Sequence, residues 1–112
     1  DGDGLEGAGT GDFFINVNNS QLVIQSNNVS RFYISGATTQ GLFEFYAGDS
    51  RIEAQNLTAQ DIVVFHRGSN DMIVKPIQSI TGKMVSTGNV VLKNNPTFVD
   101  VQQLYQGQVI YN

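Results

Sequence analysis

A polar or aromatic residue recurs at intervals of about 20 along this 112-residue chain, and the series is Ser26, Tyr46, His66, Ser86 and Tyr105. Aromatic rings with polar tips stack on sugar rings while neighbouring groups bond the sugar hydroxyls. Because each member follows an expected inward-facing position, we expect the series to point outward. Tyr46, His66 and Tyr105 are therefore candidate ligand-binding residues. The competing interpretation is structural, since Tyr and His are also ordinary strand residues on an outer sheet surface.

A second series places Arg31, Arg51 and Asp71 at intervals of 20 residues. Neighbouring guanidinium groups suit an anion such as a uronate or a sulfate, because their planar forks match carboxylate-type oxygens. Arg51 beside Asp71 would form an exposed ion pair worth about 0–1 kcal/mol. Arg31 and Arg51 are thus candidate ligand-binding residues, and the competing interpretation is a solvated charged face.

Carboxylates that could catalyse a reaction are dispersed along the chain. Asp61 and Asp100 share a position in the repeat when a one-residue deletion in the last repeat is allowed for. Two coils would separate them by about 10 Å, which suits the carboxyl pair of an inverting glycosidase. No other group converges on them, so we predict that the chain has no catalytic residues.

Composition excludes several classes of function. The chain has no Cys and one His, so a disulfide framework and a zinc site made of several His or Cys are excluded, and we expect no metal and no cofactor. A net charge of -4 argues against binding to nucleic acid. No apolar run approaches the roughly 20 residues of a membrane helix, so we expect no membrane-spanning segment.

Glycines mark the repeat that must position these side chains. Gly48, Gly68, Gly88 and Gly107 are 20, 20 and 19 residues apart, and Asn28 falls one period earlier. A turn that needs positive φ accepts Gly without steric cost and Asn as the second choice, so we predict such a turn at each position. Overlaying the repeats gives three apolar columns, which predict three strands per repeat. The columns are Phe45, Phe65, Val85 and Leu104; Phe32, Ile52, Met72, Leu92 and Tyr111; and Leu57, Ile77 and Thr97.

Like side chains at this interval favour stacked coils over a stack of hairpins, because equivalent residues of neighbouring coils lie about 4.8 Å apart. We predict an all-β fold, a right-handed parallel β-helix (β-solenoid) with about five coils of ~20 residues, its hand following the rule for parallel crossovers. Pro76 and Pro96 fit its corners. We expect residues 13–112 to form this domain and residues 1–12 to form a flexible or partly ordered segment. We expect the open last strand to be covered by a second copy in a homo-oligomer or by its own polar face and loops.

Several segments carry a resemblance to a known family. They are Ser-Gly-Ala at 35–37, Arg-Gly-Ser-Asn-Asp-Met-Ile-Val at 67–74, Ser-Thr-Gly-Asn-Val-Val-Leu at 86–92, Pro96, and Tyr-Gln-Gly-Gln-Val-Ile-Tyr at 105–111. From about Phe13 onward the chain resembles the putative auto-transporter adhesin, head GIN domain family, with single Gly turns in place of that family's paired Gly-x-Gly turns. The resemblance implies an exported, extracytoplasmic β-helix of the kind common in Bacteroidetes and other Gram-negative bacteria. It implies no catalytic residues.

These observations predict a non-catalytic domain at the cell surface or in the periplasm, acting as an adhesin or as a structural interaction module. We expect a polysaccharide or a surface protein as its partner. The competing prediction is a polysaccharide-active lyase or hydrolase of β-helix type that uses Asp61 or Asp100. A third possibility is a structural coil array that self-associates through its ends.

Overall fold

The fold consists of β-strands throughout the residues that the structure, a computed structural model, describes. These are residues 2–7, 11–26, 29–46 and 48–111, with the backbone alone described for 2–7 and 11. Asn28, a predicted turn position, lies outside them. The strands are β1 Gly2–Gly7, β2 Gly11–Ser26, β3 Ser30–Phe45, β4 Arg51–His66, β5 Met72–Val74, β6 Pro76–Met84, β7 Val90–Leu92, β8 Phe98–Gln103 and β9 Val109–Tyr111.

All pairings between these strands are parallel, and each joins a segment to its equivalent in the next coil. β1 pairs with the second half of β2, and β2, β3 and β4 pair along most of their length. After β4 the long strand is replaced in each coil by shorter strands. β5, β7 and β9 stack along one side of the solenoid, and β6 and β8 stack along another. The result is a parallel β-solenoid of about five turns, which confirms the predicted fold class. β1 lies within the segment predicted to be flexible or partly ordered.

Each coil has three sides, as the burial pattern of β4 shows. Inward and outward side chains alternate along β4, as in any strand, but the alternation slips twice. Its inward groups are Ile52 and Ala54, then Leu57 and Ala59, then Ile62, Val64 and His66. The slips at residues 55–56 and 60–61 are the corners that turn the chain from one side to the next. Three inward segments per coil match the prediction of three strands per repeat.

The offset between paired residues varies from coil to coil. It is 20 for Phe32 and Ile52 but 21 for Phe45 and His66, because a register shift, a β-bulge, lies between the partners of Tyr33 and Ser35. A slip of one residue exchanges the two faces of a strand. The predicted column of Phe45, Phe65, Val85 and Leu104 is therefore wrong after its first member. The observed column runs from Ser26 through Phe45, His66, Met84 and Gln103.

The other two predicted columns are correct in part. Phe32, Ile52 and Met72 stack in register, but Val90 follows Met72 where Leu92 was expected, since the offset there is 18. Leu57 is buried as predicted. In the next coil the buried residue is Pro76, opposite Ala59, while Ile77 is only half-buried.

The core is the stack of inward side chains between the three sides. Its largest fully buried members include Phe32, Phe43 and Phe45. Fully burying a side chain of this kind stabilises the fold by about 1.5–3 kcal/mol relative to leaving it exposed. Each coil contributes to the same column of apolar contacts, so the coils depend on their neighbours for burial.

Three of the turn glycines are required, for two different reasons. Gly48 has a positive φ of 86°, as predicted, whereas Gly68, Gly88 and Gly107 do not, so that prediction is wrong for these three. A Cβ atom at Gly88 would overlap the carbonyl oxygen of Asn70, and one at Gly107 would overlap that of Gly88. Close stacking of one turn on the next therefore selects glycine at these two positions.

Candidate binding site

His66 faces the core, so the prediction that it points outward is wrong. Its exposure is 1%, because the extra residue at the bulge moves it to the inward position opposite Phe45. The two rings meet edge to face, with centroids 5.4 Å apart. Ser26, another member of the same predicted outward series, is also buried. His66 therefore cannot contact a ligand on the outer surface.

The contacts of His66 define its protonation state. Its Nε2 lies 2.7 Å from the carbonyl oxygen of Asn70, and the N–H of Gly68 donates to Nδ1 at 3.3 Å. The proton thus belongs on Nε2 of a neutral ring. Burial lowers the pKa of His66 from its usual 6.5, while hydrogen bonds to the carbonyls of Asn70 and Asn89 and the charge of Asp71 act in the opposite direction.

Tyr46 and Tyr105 are exposed as expected, at 42% and 62%. They do not form one strip, however. Backbone bonds place Tyr46 in a row with Arg67, Val85 and Leu104, so Tyr105 lies one residue beyond that row. The Tyr46 hydroxyl donates to Oε1 of Glu44 at 2.6 Å, and its ring centroid lies 5.8 Å from that of Phe65.

Arg31 and Arg51 lie opposite each other in neighbouring coils, as predicted. Arg31 Nη1 is 4.0 Å from the carboxylate of Asp12. Arg51 donates through Nε to Glu53 at 3.1 Å and through Nη1 to Oδ1 of Asn70 at 3.0 Å, and it pairs with Asp71 at 3.6 Å. Both guanidinium groups thus have carboxylate partners, which compete with any bound anion.

Asp61 and Asp100 do not share a column, so that prediction is wrong. Asp61 lies opposite Ser79 in the next coil, and its Oδ1 accepts a 2.7 Å hydrogen bond from the Ser79 hydroxyl. Asp100 lies opposite Thr81, whose partner in the preceding coil is Val63. The expected one-residue deletion is present between β6 and β8, where the offset is 19. The two carboxylates fail to align because Asp61 pairs with β6 at an offset of 18, where 20 was expected.

Within the described ranges, no group of three or more His, Asp or Glu side chains is placed to hold a metal ion. The same part of the chain contains no helix with the length and apolar character needed to cross a membrane.

A concave site lies on the outer surface beside the bulge, a position that sequence reasoning missed. We call it the Phe14–Tyr33 cleft; its volume is about 300 Å³. Phe14 is 78% exposed and stacks on Tyr33 in the next coil, with ring centroids 4.8 Å apart and planes 12° from parallel. The signal in the sequence was the recurrence of two aromatic doublets, residues 13–14 and 32–33, at an interval of 19.

Ile15 and Ile34 also line the cleft, together with five polar residues, which are Asn16, Ser35, Glu53, Gln55 and Asn56. Asn16 Nδ2 donates to the hydroxyl of Ser35 at 2.8 Å. Oε1 of Gln55 is shielded from solvent and accepts no hydrogen bond in the described part of the chain. Because the bulge falls between the partners of Tyr33 and Ser35, it brings both Gln55 and Asn56 to this corner.

Comparison with known proteins gives one match. The family model described as putative auto-transporter adhesin, head GIN domain, matches residues 4–96, which is more than four fifths of the chain. No curated protein and no solved structure matches. On the extent of the family match, this chain belongs to the putative auto-transporter adhesin, head GIN domain family.

Proposed function

We propose that this chain is a non-catalytic adhesion domain that binds polysaccharide on the outer surface of its solenoid. The observation that carries the proposal is an exposed aromatic stack, Phe14 on Tyr33, beside amide and hydroxyl groups in a cleft. Sugars present both apolar C–H faces and hydroxyl groups, so they need both kinds of contact. The family description supports an adhesin-like role.

A polysaccharide-active enzyme has less support. Catalysis of glycoside hydrolysis requires two carboxyl groups that flank one bond. Asp61 and Asp100 lie in different columns, and the Asp61 carboxylate accepts a hydrogen bond from Ser79. The carboxylate in the Phe14–Tyr33 cleft, Glu53, is bound by Arg51.

The family name also points to a location outside the cell or on its surface. We propose that the domain works there in a Gram-negative bacterium, where an outer surface rich in polysaccharide is within reach. A rigid stack of coils suits this role, because it holds its side surface in a fixed geometry without a bound cofactor.

The test is a binding screen of the purified 112-residue chain against neutral and acidic polysaccharides, with analysis of sugar products in the same samples. We expect saturable binding without shortened or unsaturated products. Products that appear only with the intact chain, and disappear in Asp61→Asn or Asp100→Asn, would replace this proposal with the enzyme. Absence of binding across the panel would contradict a carbohydrate ligand.

A further inference from the structure

We infer that the Phe14–Tyr33 cleft is the binding site for a single ring of a neutral polysaccharide. The inference rests on the proposed function and assigns to it a ligand class and a set of residues. None of these residues was among the candidates that periodicity suggested, which were Tyr46, His66, Tyr105, Arg31 and Arg51.

The aromatic stack supplies the apolar contact. Tyr33 covers one face of the Phe14 ring, yet Phe14 remains 78% exposed, so most of the ring is available to another molecule. No other ring stacks on Phe14 among the side chains that the structure describes. The C–H face of a pyranose is flat and apolar, and it can extend the stack by one layer.

The polar residues supply hydrogen bonds to the sugar hydroxyls. Among the described residues, the Gln55 oxygen is a shielded acceptor without a donor, and an unsatisfied buried acceptor is unfavourable. The terminal torsion of a Gln side chain is broad, so a small rotation turns this oxygen toward a hydroxyl in the cleft. Asn56 is exposed at the same corner, and Ser35 and Asn16 already hold each other in place.

Charge selects a neutral sugar over a uronate or a sulfated sugar. Of the described residues that line the cleft, Glu53 is the one acidic group, and its partner Arg51 also contacts Asn70 and Asp71. None of these lining residues is a cation that could attract a second anion. The negative charge of an acidic sugar would lie close to the Glu53 carboxylate without a cation to compensate the repulsion. A neutral sugar ring avoids this repulsion.

The experiment compares the wild-type chain with Phe14→Ala, Phe14→Tyr and Tyr105→Ala by affinity electrophoresis and calorimetry. The neutral probes are soluble β-glucan, galactomannan and arabinoxylan, and the acidic probes are alginate and polygalacturonate. We expect the wild type to bind a neutral probe. Phe14→Ala should weaken that binding about tenfold, the scale of one aromatic contact. Phe14→Tyr should restore it, and Tyr105→Ala, which removes an exposed ring elsewhere, should leave it unchanged.

Phe14 is exposed, so we expect Phe14→Ala to unfold at nearly the wild-type temperature, and circular dichroism establishes that the variant is folded. Binding that survives Phe14→Ala, or that is lost equally in Tyr105→Ala, would overturn the assignment of this cleft while leaving the proposed function intact. Binding to acidic probes alone would overturn the neutral ligand class. A wild-type chain that binds none of the probes would instead contradict the proposed function.

Discussion

At the scale of single residues, His66 shows how a polar side chain serves the core of this solenoid. Its ring fills the space beside Phe45 and is hydrogen-bonded to Gly68 and Asn70 in the turn that follows β4. An aliphatic side chain of similar size would fill the space but leave the Gly68 N–H and the Asn70 carbonyl without this partner. Unsatisfied buried groups of this kind cost about 1–3 kcal/mol each.

We expect the free energy of unfolding to fall as the pH drops below about 6.5. Burial lowers the pKa of His66 in the folded state, so the unfolded chain takes up this proton first. Acid therefore favours unfolding from the unfolded-state pKa down to the folded-state pKa, with a slope of at most about 1.4 kcal/mol per pH unit. Urea denaturation at several pH values between about 5 and 8 measures this dependence of the free energy of unfolding on pH.

His66→Leu is the control for this effect, because His66 is the only His in the chain. The variant should be less stable at neutral pH but should lose the pH dependence near pH 6. Equal slopes in the two proteins would show that another group is responsible.

His66 also shows why the outward series could not be predicted from spacing. The interval between Tyr46 and His66 is regular, but alternation assigns a face only if no residue is inserted between them. The insertion near Gln55 reverses the faces, so Phe65 points outward and His66 inward. Nothing in the local composition marks the bulge. Tyr46 and Tyr105 were placed correctly on the outside, but not in one row.

At the scale of elements, the stacked turns restrict which residues a coil can accept. Successive turns are joined by backbone hydrogen bonds: the Ser69 N–H donates to the Gly48 carbonyl, and the Gly88 N–H donates to the Gly68 carbonyl. A Cβ at Gly88 would lie 2.5 Å from Nε2 of His66 as well as overlapping the Asn70 carbonyl. Gly88 thus provides the space in which the buried imidazole and its hydrogen bond fit.

We predict that Gly88→Ala and Gly68→Ala differ in stability although both replace a turn glycine. At Gly68 the nearest atom to a new Cβ would be His66 Cε1 at 3.3 Å, so a small shift accommodates it. Gly88→Ala should lower the free energy of unfolding by about 1–3 kcal/mol or more through overpacking, and Gly68→Ala by less than about 1 kcal/mol. Thermal and urea unfolding of both variants test this. Equal losses would contradict steric overlap at Gly88 as the reason for its glycine.

At the scale of the whole molecule, periodicity was enough to predict a parallel solenoid but not its detailed register. The interval of about 20 residues between Gly48, Gly68 and Gly88 remains recognisable despite small insertions, because recognition of the repeat depends only on the average length of a coil. The register depends on each insertion or deletion separately, and offsets from 17 to 21 occur in the described strands. The Phe14–Tyr33 cleft depends on one such insertion, which is why the overlay of repeats did not reveal it.

The last prediction concerns association between copies of the 112-residue chain through open strand edges. β8 and β9 have no further partner on one side among the described strands, and neither does the first half of β2. The inward residues of the last coil are only partly covered, including Val99, Val101 and Val109. A second copy placed in register would pair residues 109–111 with residues 13–15, continuing the ladder and covering this apolar surface.

Such an interface is head to tail, so it does not close, and we expect a distribution of linear oligomers that grows with concentration. Light scattering after gel filtration measures their mass. Added salt should favour growth, because it screens the repulsion between chains of net charge -4.

Val109→Lys should give a monomer, since it places a charge in the new contact. Val63→Lys, a matched change at a half-exposed residue on the side of the coil, should not alter the mass. A wild-type mass that stays monomeric at every concentration would show that polar groups and loops are enough to protect these edges.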